Sequence, residues 1–177
     1  MTKNDNIRRV DKRIVALEKE NVALKKENEA LNEQLAFARG LPAVNYVADL
    51  TEGTLTKYKD RYDVRTKNGN CLEVKWSHLN APNPSKTRRW NWESILGMNQ
   101  TKLYDFLVLT GKKDSRYEAQ YPIELPWVFF LVPFGDVFKI MSKGYRVALN
   151  TNLATSRTYN STLRTFLVRS TQQFKNL

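Results

Sequence analysis

Apolar residues recur at alternating intervals of three and four along the first 38 positions of the chain. With Ile7, Ile14, Asn21, Asn28 and Leu35 at position a of a heptad, Val10, Leu17, Leu24, Leu31 and Ala38 fall at position d. A 3.5-residue repeat sustained for more than four heptads predicts a coiled-coil helix, because it keeps one narrow apolar seam facing a partner. Leu at d with Asn at two a positions favours a parallel pair, in which two buried amides bond across a two-fold axis. The flanking charges agree: Arg13 would face Glu18, Glu20 would face Lys25, and Glu27 would face Asn32. Exposed pairs of this kind are worth only about 0–1 kcal/mol each, so they set orientation more than stability. The expected assembly is a parallel homodimer through residues 7–38, with a larger bundle also compatible with the seam. Arg39-Gly40-Leu41-Pro42 predicts the end of the helix, with Gly suited to a left-handed cap and Pro unable to continue the ladder.

From about residue 43 the pattern changes to shorter apolar runs. A helical or irregular entry over 43–56 leads to a strand over 58–66 and a second over 71–77. Asn68-Gly69 between them signals a hairpin. A polar loop over 80–87 contains Pro82 and Pro84. A helix is expected over 89–101, a strand over 104–110, a hairpin of 127–132 with 137–141 turning at Pro133-Phe134-Gly135, and a C-terminal helix over 161–173. The order predicts an α/β fold of the α+β kind, a mixed sheet flanked by helices, preceded by the long N-terminal helix. The two domains are then 1–39 and 43–177.

Charge narrows the class of partner. The chain holds 29 Lys+Arg against 18 Asp+Glu, a net charge of +11, and its isoelectric point is near 9.8. Residues 1–39 contain 9 basic and 7 acidic side chains, which leaves 20 and 11 for the remainder. The globular part is therefore the part expected to meet a polyanion, with nucleic acid foremost. The single cysteine, Cys71, excludes an internal disulfide framework and a cysteine-built zinc site. The single histidine, His78, argues against a His-rich metal cage or a Ser-His-Asp hydrolase. The longest apolar run, residues 125–134, is about half the length of a membrane span and includes two prolines. No membrane partner is expected, and a cytoplasmic setting is.

The chemistry concentrates around the hairpin. Asp63 and Glu73 lie ten residues apart across a short turn, and Lys75 shares a strand face with Glu73 because successive side chains alternate. Two carboxylates and a lysine on one sheet face suit metal-assisted phosphodiester hydrolysis, in which hard oxygen ligands hold Mg²⁺ while it keeps several waters. A nearby ammonium orients water or neutralises developing charge. The same three residues also fit a plainer description, a same-face ion pair of Glu73 with Lys75 beside a surface aspartate.

The arrangement Tyr62-Asp63-Val64, hairpin, Leu72-Glu73-Val74-Lys75 resembles the PD-(D/E)XK nuclease superfamily, with Tyr62 where the family name has proline. The resemblance covers about 43–140. It implies a restriction-endonuclease-like core, catalytic roles for Asp63, Glu73 and Lys75, and Mg²⁺ held by Asp63 and Glu73. It also implies a role for Glu52, which stands where many members carry a helical glutamate. A second stretch, Lys86-Thr87-Arg88-Arg89-Trp90-Asn91-Trp92, mixes cations with indoles. Lys86, Arg88, Arg89 and Trp90, with His78, are the candidates for nucleic-acid contact, whereas Trp92 and Cys71 are expected in the core. Lys57, Lys59, Arg61, Lys67, Arg157 and Arg164 extend the basic surface.

The function expected from these features is a Mg²⁺-dependent endonuclease that cuts double-stranded DNA as a dimer, foremost a type II restriction endonuclease. A homing or phage recombination endonuclease is the neighbouring alternative. A dimeric DNA-binding protein without catalysis is the alternative of another class, and an RNA-processing nuclease is not separated from the first.

Overall fold

A computed structural model describes residues 3–57, 60–80, 87–97, 101–142, 144–154 and 161–177. The chain divides into two compact units, Met1–Arg39 and Gly40–Leu177. In the first unit the chain is helical from Lys3, and Ile14, Leu17, Leu24, Leu31 and Leu35 stand 46–54% exposed.

The first helix, α1, spans Lys3–Leu50 and does not stop at the expected Arg39-Gly40-Leu41-Pro42 boundary. Pro42 lies inside it, at the loss of one backbone bond and a ring clash worth about 3 kcal/mol. Ala43, Val44, Val47 and Ala48, all buried, fall on one helical face against the sheet. Burying these four side chains returns more than that, at about 0.8 kcal/mol per methylene. The helix closes one turn later, where the Gly53 N–H bonds the Ala48 carbonyl at 2.8 Å and the Glu52 N–H bonds the Asp49 carbonyl at 3.3 Å. These two bonds form a Schellman cap, and its left-handed residue is Glu52, with φ of 47°.

The second unit is mixed α/β. A five-stranded sheet has the order β1-β2-β3-β5-β6, built from Thr54–Leu55, Val64–Arg65, Cys71–Ser77, Phe106–Gly111 and Val128–Pro133. The β2/β3 pair is the expected hairpin, with Gly69 at φ of 92° in its turn. Its first arm is shorter than expected, since pairing is confined to Val64 and Arg65 and to the two-residue β1; Tyr58 and Lys59 lie outside the described residues. β3 pairs in parallel with β5, and β5 in antiparallel with β6, so the sheet is mixed.

Three expectations fail for identifiable reasons. The helix expected over 89–101 is instead a strand, β4 (Arg89–Trp92), which pairs with β7 (Val147–Asn150) in a separate two-stranded sheet. Its period is two, with Trp90 and Trp92 buried between exposed Arg89 and Asn91. The second arm of the expected 127–141 hairpin is a helix, α2 (Phe134–Ile140), whose buried Val137 and Ile140 are three residues apart. The C-terminal helix is broken into a 3₁₀ turn at Ser161–Phe166 and one short helix, α3 (Gln172–Lys175).

The core lies on both faces of the five-stranded sheet. One layer holds the 43–48 turn of α1 with Leu72, Val74, Val108, Phe129 and Phe174. The other holds Trp90, Trp92, Leu107, Leu109, Phe130 and Leu149. β3 thus presents Leu72 and Val74 to the α1 side and Glu73, Lys75 and Ser77 to the opposite side. No helix among the described residues is long and apolar enough to cross a membrane.

Candidate active site

The site forms where the short arm β2 gives out and β3 runs on with β5 as its partner strand. Just before β2, Asp63 donates its N–H to the Leu72 carbonyl at 2.8 Å, and its Oδ2 accepts the Val74 N–H at 2.8 Å. The side chain thus takes over the pairing that the backbone of β2 no longer supplies. That contact brings the Asp63 carboxylate to the strand position between Glu73 and Lys75. Burial, and then the charge of Glu73, push the Asp63 carboxyl up to about 6, against the stabilising Val74 N–H.

Glu73 is 1% exposed. A buried carboxylate is tolerated only when paired, and Glu73 is paired twice. Its Oε1 lies 2.8 Å from Lys75 Nζ and its Oε2 lies 3.0 Å from Lys102 Nζ. Tyr104 is close by: its hydroxyl donates to the Ile95 carbonyl at 3.2 Å, and its pKa rises through burial and the Glu73 charge.

Lys102 has no counterpart in the sequence expectations. Nothing in its neighbourhood marks it among other lysines. It reaches Glu73 because β5 runs parallel to β3, which places the segment entering β5 beside the start of β3. A parallel pair needs a crossover, and among its described residues this one contains the strand β4.

The remaining expected site residues are dispersed. Glu52 is exposed, caps α1, and pairs with Lys67 at 2.6 Å, which holds its carboxyl below the ordinary value. It does not join Asp63 and Glu73, because the left-handed cap turns the chain toward the hairpin tip. Trp90 is fully buried and edge-on to Phe130, and its indole N–H donates to the Lys112 carbonyl at 2.8 Å. It is therefore a core residue, not a nucleic-acid contact. Trp92 is buried as expected and donates to the Thr110 carbonyl. Arg88 lies 3.7 Å from the buried Asp114, which also pairs with Arg116 at 2.7 Å. Arg89 is exposed at the start of β4, and His78 is exposed with its ring edge-on to Trp76. Lys86, Lys59 and Arg157 lie outside the described residues. Cys71 is half-buried, and its N–H is bonded by Asp105 Oδ2 at 2.7 Å, which gives Asp105 a structural part.

Whether Asp63 and Glu73 fit a hard divalent cation turns on their free oxygens. Glu73 Oε2 is buried and accepts no hydrogen bond, since Lys102 is near it but out of alignment. Burial, and after it the charge of Glu73, raises the Asp63 carboxyl, and a cation between the two would relieve the repulsive part. Two carboxylates are enough for Mg²⁺, which keeps most of its waters. Among the described residues no group of three or more His, Cys, Asp and Glu side chains converges. The donor set therefore fits a two-carboxylate site and not an all-protein cage. Comparison with the profiles of known protein families and with curated proteins gives no match to this chain.

Proposed function

We propose that residues 43–177 form a Mg²⁺-dependent DNA endonuclease with a restriction-endonuclease-like core of the PD-(D/E)XK type, paired into a dimer through the coiled-coil seam of residues 7–38. The observation that carries the reading is the convergence of Asp63 and Glu73 at one break in strand pairing, with Lys75 2.8 Å from Glu73. Asp63 and Glu73 would hold the cation, which when bound polarises the phosphodiester and neutralises charge on its oxygens. Lys75 sits beside them with its side chain 23% exposed, placed to orient an attacking water and to offset charge gathering on the phosphate. Arg89 and the other exposed cations supply attraction to the phosphate backbone. A two-fold dimer would set two such sites on opposite strands, which favours a type II restriction enzyme over homing and recombination nucleases.

One observation favours a second reading, a dimeric DNA-binding protein without catalysis. Both oxygens of Glu73 are already ion-paired, by Lys75 and Lys102, so the carboxylate is balanced without metal.

The test is incubation of the purified protein with supercoiled plasmid and mixed genomic DNA, with Mg²⁺ or a chelator, beside a Glu73→Gln variant. Discrete fragments that need both Mg²⁺ and Glu73 are the expected result, and their ends give the site and stagger. DNA that shifts on a gel yet stays intact under every condition would replace the nuclease with the binding protein.

A further inference from the structure

Glu73 meets two ammonium groups that arrive by different routes. Lys75 is fixed by the alternation of β3, which is held between β2 and β5. Lys102 comes from the irregular backbone ahead of β5, and its Nζ has a second anchor, donating to the Asp60 carbonyl at 2.8 Å. Its 3.0 Å approach to Glu73 Oε2 is an ion pair without hydrogen-bond alignment, because that buried oxygen accepts no hydrogen bond. Lys102 thus covers a buried Glu73 oxygen that no hydrogen bond occupies.

We infer that Lys102 is a positioning residue of the candidate site: its ammonium covers the Glu73 oxygen that a divalent cation would take, and the two compete for it. This rests on the reading of the site as metal-dependent. With Asp63, Glu73, Lys75 and Lys102 all ionised the local charges cancel, so a cation entering between the carboxylates meets two positive groups. One of them must give way. Lys75 is held by its strand, whereas Lys102 keeps the Asp60 carbonyl as a resting place when it leaves Glu73. That bond also ties the 60–63 segment, and so Asp63, to its partner carboxylate.

The test is Mn²⁺ binding to the full chain, by calorimetry and by the electron paramagnetic signal of free Mn²⁺, in the wild type and in K102Q, K102M and K102R. K102Q keeps an N–H donor on a side chain one bond shorter but carries no charge. K102M is the second neutral variant should K102Q fold poorly, with thermal melting as the control. Neutral variants are expected to bind Mn²⁺ about tenfold more tightly, because one repelling charge has been removed within a few ångströms. K102R, which keeps the charge, is expected to stay within about twofold of wild type. Equal or weaker binding by the neutral variants, beside a wild type that binds, would overturn the role of Lys102 and leave the metal site standing. Tightening in K102R as large as in K102Q would overturn competition by charge. No binding to any of the four proteins would overturn both this inference and the metal-dependent reading.

Discussion

The Asp63 carboxylate accepts the Val74 N–H at 2.8 Å, so the first arm of the hairpin reaches β3 through a side chain where its regular pairing has ended. The bond is made at an electrostatic penalty. Burial and the charge of Glu73 raise the Asp63 carboxyl from an ordinary 3.8 to about 6. A folded state that holds this proton more tightly than the unfolded chain gains stability from it below pH 4 and loses that gain as pH rises through 6. Asp63→Asn keeps an acceptor for Val74 without the charge. It is expected to be more stable than wild type by about 1–3 kcal/mol at pH 7.5, with the difference closing toward pH 4. Urea denaturation across that range checks this, and a constant or reversed difference would sink it.

Glu52 separates the cap from the chemistry. It occupies the left-handed position of the α1 cap, a conformation that glycine adopts without strain. Glu52→Gly is expected to leave the melting temperature unchanged or raised, and to leave any Mg²⁺-dependent DNA cleavage at wild-type rate. Loss of cleavage in a fully folded variant would return Glu52 to the site.

Gly111 lies under an indole. A Cβ there would stand 2.5 Å from Trp90 Nε1 and 2.6 Å from its Cδ1, and the ring is held by its bond to the Lys112 carbonyl. Gly111→Ala is therefore expected to cost about 1–3 kcal/mol through overpacking. An unchanged urea midpoint would show that the ring can retreat.

The seam of the N-terminal helix is tested by charge. Leu17 and Leu24 are 50% and 48% exposed on the single chain, and both fall at position d. Replacing both with Glu is expected to convert dimers into monomers in sedimentation velocity at micromolar concentration. A mass unaffected by the change would remove the coiled coil from the proposal.

What the sequence disclosed followed local chemistry. Asn68-Gly69 demands a left-handed turn residue, so the hairpin and the extent of β3 were legible, and with them the spacing of Asp63, Glu73 and Lys75. What it concealed depends on the tertiary fold. Arg89-Trp90-Asn91-Trp92 alternates over only four residues, too short for its period to outweigh helix-like flanks, and its partner β7 lies 55 or more residues away. The end of α1 lies beyond the local stop signals Gly40 and Pro42, because the burial of Ala43, Val44, Val47 and Ala48 exists only once the sheet does. Lys102 was hidden for a similar reason: only the parallel register of β3 with β5 brings it to Glu73.

The four tryptophans fall into two close pairs, one on each face of the main sheet. Trp90 and Trp92 have ring centroids 6.1 Å apart in the layer with β4 and β7, and Trp76 and Trp127 are 5.4 Å apart in the layer with α1. Indoles this close couple their electronic transitions, and each pair is asymmetric only while its neighbours are in place. Near-ultraviolet circular dichroism of W92F and W127F would assign one spectral signature to each layer, giving an optical, label-free view of the two halves of the core as they assemble or come apart.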